Sequence, residues 1–217
     1  ERSQLDRVRE RLLISPPLES LPRVRLVGPR SVEIKLSGPL APNTTYTFNL
    51  GESVKDLTEG NPATGLNYVV STGIAVDSAV ISGSVMNAFT GAPEKDLIVG
   101  LYPAGDTSAF CHGRPSYMAR TTASGLFTLA NLPHGNFSMM ALRDKNGNYR
   151  YDLPNEEIAF TSQIVTLAPA DTATTFVAMR SFLPASIEQR IRSYSVNAAG
   201  ALDLVLARAA DRITVRD

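Results

Sequence analysis

One short segment of the chain carries the residues best suited to bind a metal ion. Asp144, Asn146, Asn148 and Asp152 place oxygen-bearing side chains at its first, third, fifth and ninth positions. Ca²⁺ prefers six to eight oxygen ligands at about 2.3–2.6 Å, and alternate side chains of one loop can supply several of them. Glu156 or Glu157 follows closely enough to add a carboxylate. The spacing therefore indicates a candidate Ca²⁺ site with Asp144, Asn146, Asn148, Asp152 and Glu156 as ligands.

A metal-free interpretation of the same segment stays open. Tyr149 and Asn155 occupy the sixth and twelfth positions, where an EF-hand loop has glycine and glutamate. Asn146 and Gly147 form one of the strongest two-residue signals for a β-hairpin turn, and Asp and Asn favour turns without any ion. The segment is either a Ca²⁺ loop or an ordinary hairpin turn.

No arrangement of residues predicts catalysis. A site for a metal or a nucleophile could draw on at most three residues of the required types, Cys111, His112 and His134. No group that would orient them is visible in the sequence. Glu156 and Glu157 are adjacent, so on a strand they would point to opposite faces and could not flank one glycosidic bond. The sequence also lacks a Gly-x-Ser-x-Gly nucleophile elbow. We therefore expect a protein that is not an enzyme.

The composition is that of a folded protein without a dominant charge. Of the 217 residues, 43% are hydrophobic and 19% are charged, with 21 basic residues balancing 21 acidic ones. A net charge of zero creates no long-range field for nucleic acid, so we expect no nucleic-acid partner. No apolar run reaches the roughly 18 residues of a transmembrane helix. The single cysteine excludes an internal disulfide.

Short alternating or β-branched runs dominate the sequence and indicate strands. The 15 glycines and 14 prolines fall mostly between these runs, as turns between short strands require. The fold class that we expect is all-β, with two consecutive antiparallel β-sandwiches. The predicted strands cover residues 23–27, 31–36, 44–50, 67–72, 79–85, 97–102, 116–120, 126–129, 136–142, 158–167 and 174–179.

Segments near both ends are less clearly patterned. Residues 5–12 have helical spacing of apolar side chains, but they fit an extended lead-in equally well. Residues 187–194 fit either a helical turn or a strand. In the tail, alternating runs at 202–206 and 212–215 predict two further strands.

The strand groups divide the chain into three parts. One group ends near residue 73 and the next begins near residue 79, which places a boundary between them. We predict a first sandwich at residues 1–76 and a second at residues 77–180. Residues 181–217 are either extra strands or the start of a third β-domain.

The first part resembles a bacterial Ig-like domain of the surface-layer type. Residues 40–48 (LAPNTTYTF) match the strand pattern of that family, residues 54–56 (VKD) and 59–61 (EGN) resemble its Asp- and Gly-Asn-containing loop, and residues 71–73 (STG) match its following strand. The sequence departs from the family pattern at residues 1–11, which shorten or replace the first strand.

The second part resembles a prealbumin-like β-sandwich, as in collagen-adhesin B-type and carboxypeptidase-regulatory-like modules. The resemblance rests on residues 81–85 (ISGSV), 125–127 (GLF), 131–135 (NLPHG) and 141–144 (ALRD). The tandem is similar to Ig-like proteins of Bacteroidetes cell envelopes.

This resemblance implies location and role. It implies an exported protein of the periplasm or cell surface, held at the outer membrane by a segment outside this chain. It implies a structural or adhesive module that acts as a spacer or interaction scaffold, with other envelope proteins or surface glycans as partners. A carbohydrate- or peptide-binding module and an accessory domain of a larger envelope enzyme are the alternatives, since fold alone does not choose among them.

Overall fold

The computed structural model describes residues 3–5, 7–63, 65–105, 108–168, 174–185 and 191–207. The chain divides into two compact units, Glu1–Pro184 and Ala185–Asp217. Among the described residues, strands form nearly all the regular structure and the two helices are single turns, so the predicted all-β class is confirmed. No helix in the described ranges has the length and apolar character needed to span a bilayer.

The strands of the first unit are short and numerous, as the frequent turn residues predict. Its elements are β1 (Ser3–Leu5), α1 (Val8–Arg11), β2 (Leu13–Ser15), β3 (Arg23–Leu26), β4 (Val32–Lys35), β5 (Thr45–Asn49), β6 (Val54–Asp56), β7 (Asn67–Ser71), β8 (Ala79–Asn87), β9 (Ile98–Pro103), α2 (Ala109–His112), β10 (Tyr117–Arg120), β11 (Leu126–Leu132), β12 (Gly135–Leu142), β13 (Ile158–Phe160), β14 (Val165–Leu167) and β15 (Thr175–Ser181).

Small antiparallel sheets build the N-terminal part of the first unit. The largest has the order β2–β5–β7, while β3 pairs with β4 and β1 with β6. The central strand β5 supplies Tyr46 and Phe48 to the core, since alternate residues of a strand share one face. Around these two aromatic rings pack the buried side chains of Leu12, Ile14, Leu50 and Val54.

The loop after β6 is organised by one carboxylate. Asp56 accepts hydrogen bonds from the backbone N–H groups of Thr58 (2.8 Å), Glu59 (2.6 Å) and Asn61 (2.9 Å). Gly60 has a φ of 74°, in the left-handed region that favours glycine. The bond from Glu59 is the largest of the contributions that lower the pKa of Asp56, because hydrogen bonds to a carboxylate favour its charged form.

We expect acid to weaken this loop. The pKa of Asp56 is lower in the folded than in the unfolded chain, so its contribution to stability is complete above about pH 4. That contribution is lost as the pH falls through the folded-state pKa. Asp56→Asn should therefore lower the thermal midpoint at pH 7, and the difference from the native chain should shrink toward pH 2. Thermal unfolding of both proteins across this range measures the effect, and a difference independent of pH would contradict it.

The second part of the first unit is a β-sandwich of two sheets around one core. One sheet has the order β11–β8–β15, and the other has the order β10–β9–β12–β13, with β14 also pairing with β12. Residues of β8 alternate between buried and half-buried from Ala79 to Val85, so one face of the strand is turned to the core. The fully buried members of this core include Ile81, Val85, Leu97, Val99, Leu101, Met139, Ala141 and Ala159.

One strand pair departs from the antiparallel rule. β15 runs parallel to β8, with Val177 opposite Gly83, whereas the other ladders in the described residues are antiparallel. A Cβ atom on Gly83 would lie 2.0 Å from the carbonyl oxygen of Val177 and 2.5 Å from the ring of Phe127. The absence of a side chain at this position therefore lets the two strands and the core ring approach each other.

The N-terminal sheets contact the second sandwich through buried polar and apolar groups. Ser15 Oγ accepts a hydrogen bond from the backbone N–H of Met118 (2.9 Å) and donates to its carbonyl oxygen (3.2 Å). Asn131 Nδ2 donates to Thr47 Oγ1 (3.1 Å). We call this contact region the joint, and it consists of Leu13, Ser15, Thr47, Ile98, Met118 and Asn131.

The second unit contains an antiparallel hairpin of β16 (Ile191–Val196) and β17 (Leu202–Leu206). Its turn is organised by the side chain of Asn197, whose Oδ1 accepts from the backbone N–H groups of Ala199 (3.0 Å) and Ala201 (2.9 Å). The hairpin confirms the predicted strand at 202–206.

Most of the predicted strands are confirmed, with small shifts at their ends. The run at 158–167 forms two strands, β13 and β14, and the ambiguous segment 5–12 contains the helical turn α1. From residue 191 onward the segment predicted as helical turn or strand is a strand, and the run at 212–215 lies outside the described residues. The division at residue 76 and the assignment of 77–180 and 181–217 stay predictions.

Candidate functional site

The candidate metal ligands lie in one long connection between β12 and β13. Residues 143–157 of this connection, which we call the 143–157 loop, contain no strand. The alternative interpretation of Asn146 and Gly147 as a tight hairpin turn between strands is therefore wrong. The two strands that the loop joins do pair, but their pairing begins at Leu142 and Ile158, where the loop starts and ends.

Asp144 shapes the first half of the loop. Its Oδ1 accepts from the backbone N–H groups of Gly147 (2.8 Å) and Asn148 (3.3 Å), and its Oδ2 accepts from that of Tyr149 (3.0 Å). Gly147 and Tyr149 have φ values of 76° and 61°, both in the left-handed region. A bulky side chain is uncommon there, so the bond from Tyr149 to Asp144 helps to hold an unfavourable backbone conformation.

The two asparagines converge on Asp152. Nδ2 of Asn146 donates to Oδ1 of Asp152 (2.9 Å), and Nδ2 of Asn148 donates to Oδ2 (2.6 Å). Asp152 is exposed, and the amide of Asn146 is exposed with it. Three oxygen-bearing side chains of the predicted set thus meet on the outer side of the loop.

Glu156 anchors the loop from the inside. Its side chain is completely buried. Oε1 accepts from the backbone N–H of Lys145 (3.1 Å), and Oε2 accepts from those of Asp152 (3.2 Å) and Leu153 (3.1 Å). One carboxylate therefore ties the beginning of the loop to its end.

Arg143 fixes the point at which the loop leaves β12. Its Nε donates to Oε2 of Glu157 (2.5 Å), its Nη2 contacts Oε2 of Glu94, and its Nη1 donates to the carbonyl oxygen of Lys95 (3.1 Å). Glu94 also accepts from Asn87 Nδ2 (2.9 Å). No local pattern in the sequence points to this network, because its members are distant along the chain.

Two tyrosines tether the loop to different parts of the first unit. Tyr149 packs against Leu13, Ile98 and Met118 of the joint. Burial raises the pKa of Tyr149, and the nearby Arg120 opposes that rise. Tyr151 instead packs against a cluster of the second sandwich that contains Tyr102, Met140 and Leu142.

The structure brings all five predicted ligands into one loop, where their oxygens bind backbone or amide N–H groups. In the described part of the chain, no three His, Cys, Asp or Glu side chains are grouped as a metal site. Ca²⁺ binding by Asp144, Asn146, Asn148, Asp152 and Glu156 stays a prediction. Cys111, His112 and His134 are exposed.

One family of known proteins is similar to the N-terminal third of the chain. Residues 7–72 match the sequence family described as a bacterial Ig-like domain, which agrees with the resemblance of the first part of the chain. No curated protein sequence matches the chain.

Two solved structures are similar to the chain at low identity. One is BcpA, the major pilin subunit of Bacillus cereus, with 11% identity, a TM-score of 0.32 and coverage of 84% of this chain. A variant of the same subunit has 12% identity, a TM-score of 0.31 and coverage of 82%. This chain spans 58% of the length of either pilin chain.

Proposed function

We propose that this chain is a non-enzymatic structural or adhesive module of an exported bacterial envelope protein, acting as a spacer or interaction scaffold. The match of residues 7–72 to a bacterial Ig-like domain supports a periplasmic or surface location. The observation that carries the scaffold role is the joint, where Ser15 and Met118 exchange two buried hydrogen bonds. Parts joined by buried contacts keep a fixed relative position, whereas parts on a free linker move independently.

The carboxylates of the 143–157 loop support a structural use. Asp144, Asp152 and Glu156 all accept hydrogen bonds from other groups of the same loop. Side-chain bonds of this kind fix the shape of a loop. A general acid or base must instead reach a proton on the substrate. Other envelope proteins or surface glycans are the partners that such a scaffold would hold.

Cell fractionation tests the proposal. In the source bacterium, an antibody against the purified chain should label intact cells, or cells whose outer membrane has been permeabilised. The chain should be degraded when protease is added under the same condition. Recovery of the chain from the cytoplasm alone, protected from protease in permeabilised cells, would overturn the proposed role.

We further propose that the 143–157 loop binds Ca²⁺ through the five predicted ligands. The convergence of Asn146 and Asn148 on Asp152 supports this proposal. Carboxylate and carboxamide oxygens are the ligands that Ca²⁺ prefers. Rotation of each carboxamide by half a turn would exchange its N–H₂ for its oxygen and direct that oxygen toward the same side as Asp152.

Ca²⁺ should raise the thermal midpoint of the native chain relative to EDTA. Binding to the folded state alone stabilises by about 2.7 kcal/mol at a hundredfold excess over the dissociation constant. Asp144→Ala should remove the Ca²⁺-dependent rise, and Asp203→Ala in the second unit serves as the control that should keep it. Thermal unfolding of the three proteins in EDTA and in millimolar Ca²⁺ measures the effect. Equal midpoints for the native chain in both buffers would remove the Ca²⁺ proposal and leave the scaffold proposal intact.

A further inference from the structure

The side chain of Tyr149 lies where three parts of the first unit meet. Its ring belongs to a cluster with Leu13 of β2, Ile98 of β9 and Met118 of β10. Leu13 comes from the N-terminal sheets, whereas Ile98 and Met118 come from the second sandwich. The 143–157 loop therefore contacts both sides of the joint through one residue.

Met118 takes part in the joint through both its main chain and its side chain. Its backbone N–H and carbonyl are bound by the hydroxyl of Ser15. Its side chain belongs to the cluster that contains Leu13 and Tyr149. Since β10 is the end strand of its sheet, the backbone N–H and carbonyl of Met118 would otherwise lack partners at that edge. The hydroxyl of Ser15 supplies those partners, and the ring of Tyr149 packs in the cluster that contains the Met118 side chain.

The backbone of Tyr149 shows that the ring is held in place at a cost. A tyrosine at a φ of 61° is disfavoured by its own Cβ. Such a conformation persists only where the surroundings determine it, and it is concentrated at functional sites and clamps. Here the determining contacts are the hydrogen bond to Asp144 (3.0 Å) and the packing on the joint.

We propose that the 143–157 loop is a strap that fixes the joint, with Tyr149 as the residue that fastens it. The internal bonds of the loop, from Asp144 and from the buried Glu156, set the position of Tyr149. Loosening those bonds withdraws the ring from Leu13 and Met118 and frees the N-terminal sheets to move relative to the second sandwich. The use of this device, control of stiffness in a surface spacer, rests on the proposed function, but the contacts themselves do not.

Tyr151 offers a matched comparison within the same loop. It packs against the cluster of the second sandwich that contains Tyr102 and Met140, and it does not belong to the cluster of Leu13, Ile98 and Met118. Its removal should weaken the attachment of the loop without removing a contact across the joint. A strap fastened at Tyr149 predicts different effects of the two tyrosines on movement at the joint, whereas a general packing role predicts similar ones.

Distances between spin labels on either side of the joint test the strap. Labels are placed on Arg30→Cys and Ser162→Cys, both exposed positions, in a Cys111→Ser background. Tyr149→Asn suits the left-handed backbone but removes the ring, and it should broaden the label distance distribution about twofold, as expected for a freed hinge. Tyr149→Phe, which keeps the ring, and Tyr151→Asn should leave the width unchanged.

The outcomes separate the strap from the proposed function. The strap proposal would be overturned if the label distance distribution of Tyr149→Asn were as narrow as that of the native chain. It would also be overturned if Tyr151→Asn broadened that distribution equally. If Tyr149→Asn does not fold, Tyr149→Gly is measured in the same way and judged by the same result. A cytoplasmic location would remove the spacer role while leaving the strap, and a narrow distribution would remove the strap while leaving the spacer role.

Discussion

Alanine at position 83 should destabilise the second sandwich by about 3–5 kcal/mol. The added Cβ would overlap the carbonyl oxygen of Val177, at 2.0 Å, and the ring of Phe127, at 2.5 Å. Because the nearest atom belongs to the backbone of β15, it cannot move away as the end of a flexible side chain could. Either β15 separates from β8 or the core ring leaves its position. Both responses expose core residues such as Ile81, which is completely buried in the native fold.

Urea unfolding followed by circular dichroism measures this loss. Gly38→Ala is the matched control, since a Cβ at Gly38 meets no atom within 4 Å. We expect the free energy of unfolding of the control to lie within about 0.5 kcal/mol of that of the native chain, as is usual for surface substitutions. If Gly83→Ala unfolded at the same urea concentration as the control, the close approach of β15 to β8 at this residue would not exist in solution.

Replacing Glu156 with alanine should cause the second-largest loss of stability, lowering the free energy of unfolding by on the order of 3 kcal/mol. The buried carboxylate satisfies the backbone N–H groups of Lys145, Asp152 and Leu153. Alanine leaves those donors without their partner and leaves a cavity beneath the loop. Glu156→Gln keeps the volume of the side chain but replaces one acceptor with a donor. Its stability should therefore lie between that of the native chain and that of Glu156→Ala.

Equilibrium unfolding of the two Glu156 variants measures these losses, and hydrogen exchange locates them. Amide protons of residues 145–153 should exchange faster, while those of β8 and β9 keep their protection. Glu52→Ala is the control, because the side chain of Glu52 is 66% exposed. A Glu156→Ala protein as stable as the control would show that the carboxylate does not hold the loop.

Local pattern was enough to predict the class of fold and many of its strands. Alternation of polar and apolar residues at 23–27 and 31–36 predicts the strands β3 and β4, which pair as a local hairpin. The Gly60-Asn61 pair that follows Asp56 predicts a loop, and the bonds that shape this loop lie within five residues of Asp56. Strands β1 and β6 have three residues each, too few to show a period, and they were not predicted.

The arrangement of the candidate site was less accessible to sequence reasoning, because it depends on contacts between distant residues. The hairpin signal of Asn146 and Gly147 is strong locally, but the bonds to Asp144 and Glu156 impose a longer loop. Burial of Glu156 is unexpected from its polar neighbours in the sequence. A left-handed tyrosine at 149 is also unexpected, since its packing partners Leu13 and Met118 are far away along the chain.

The parallel pairing of β8 with β15 determines when this module can complete its fold. Ile81 pairs with Thr175, roughly 90 residues later, which at 5–20 residues per second means a delay of about 5–20 s during synthesis. Until β15 has been made, one edge of β8 lacks its partner and the core lacks Met179. Long-range pairing of this kind also slows folding. The chain therefore remains open to chaperones, proteases and wrong strand partners until Thr175–Ser181 have paired with β8.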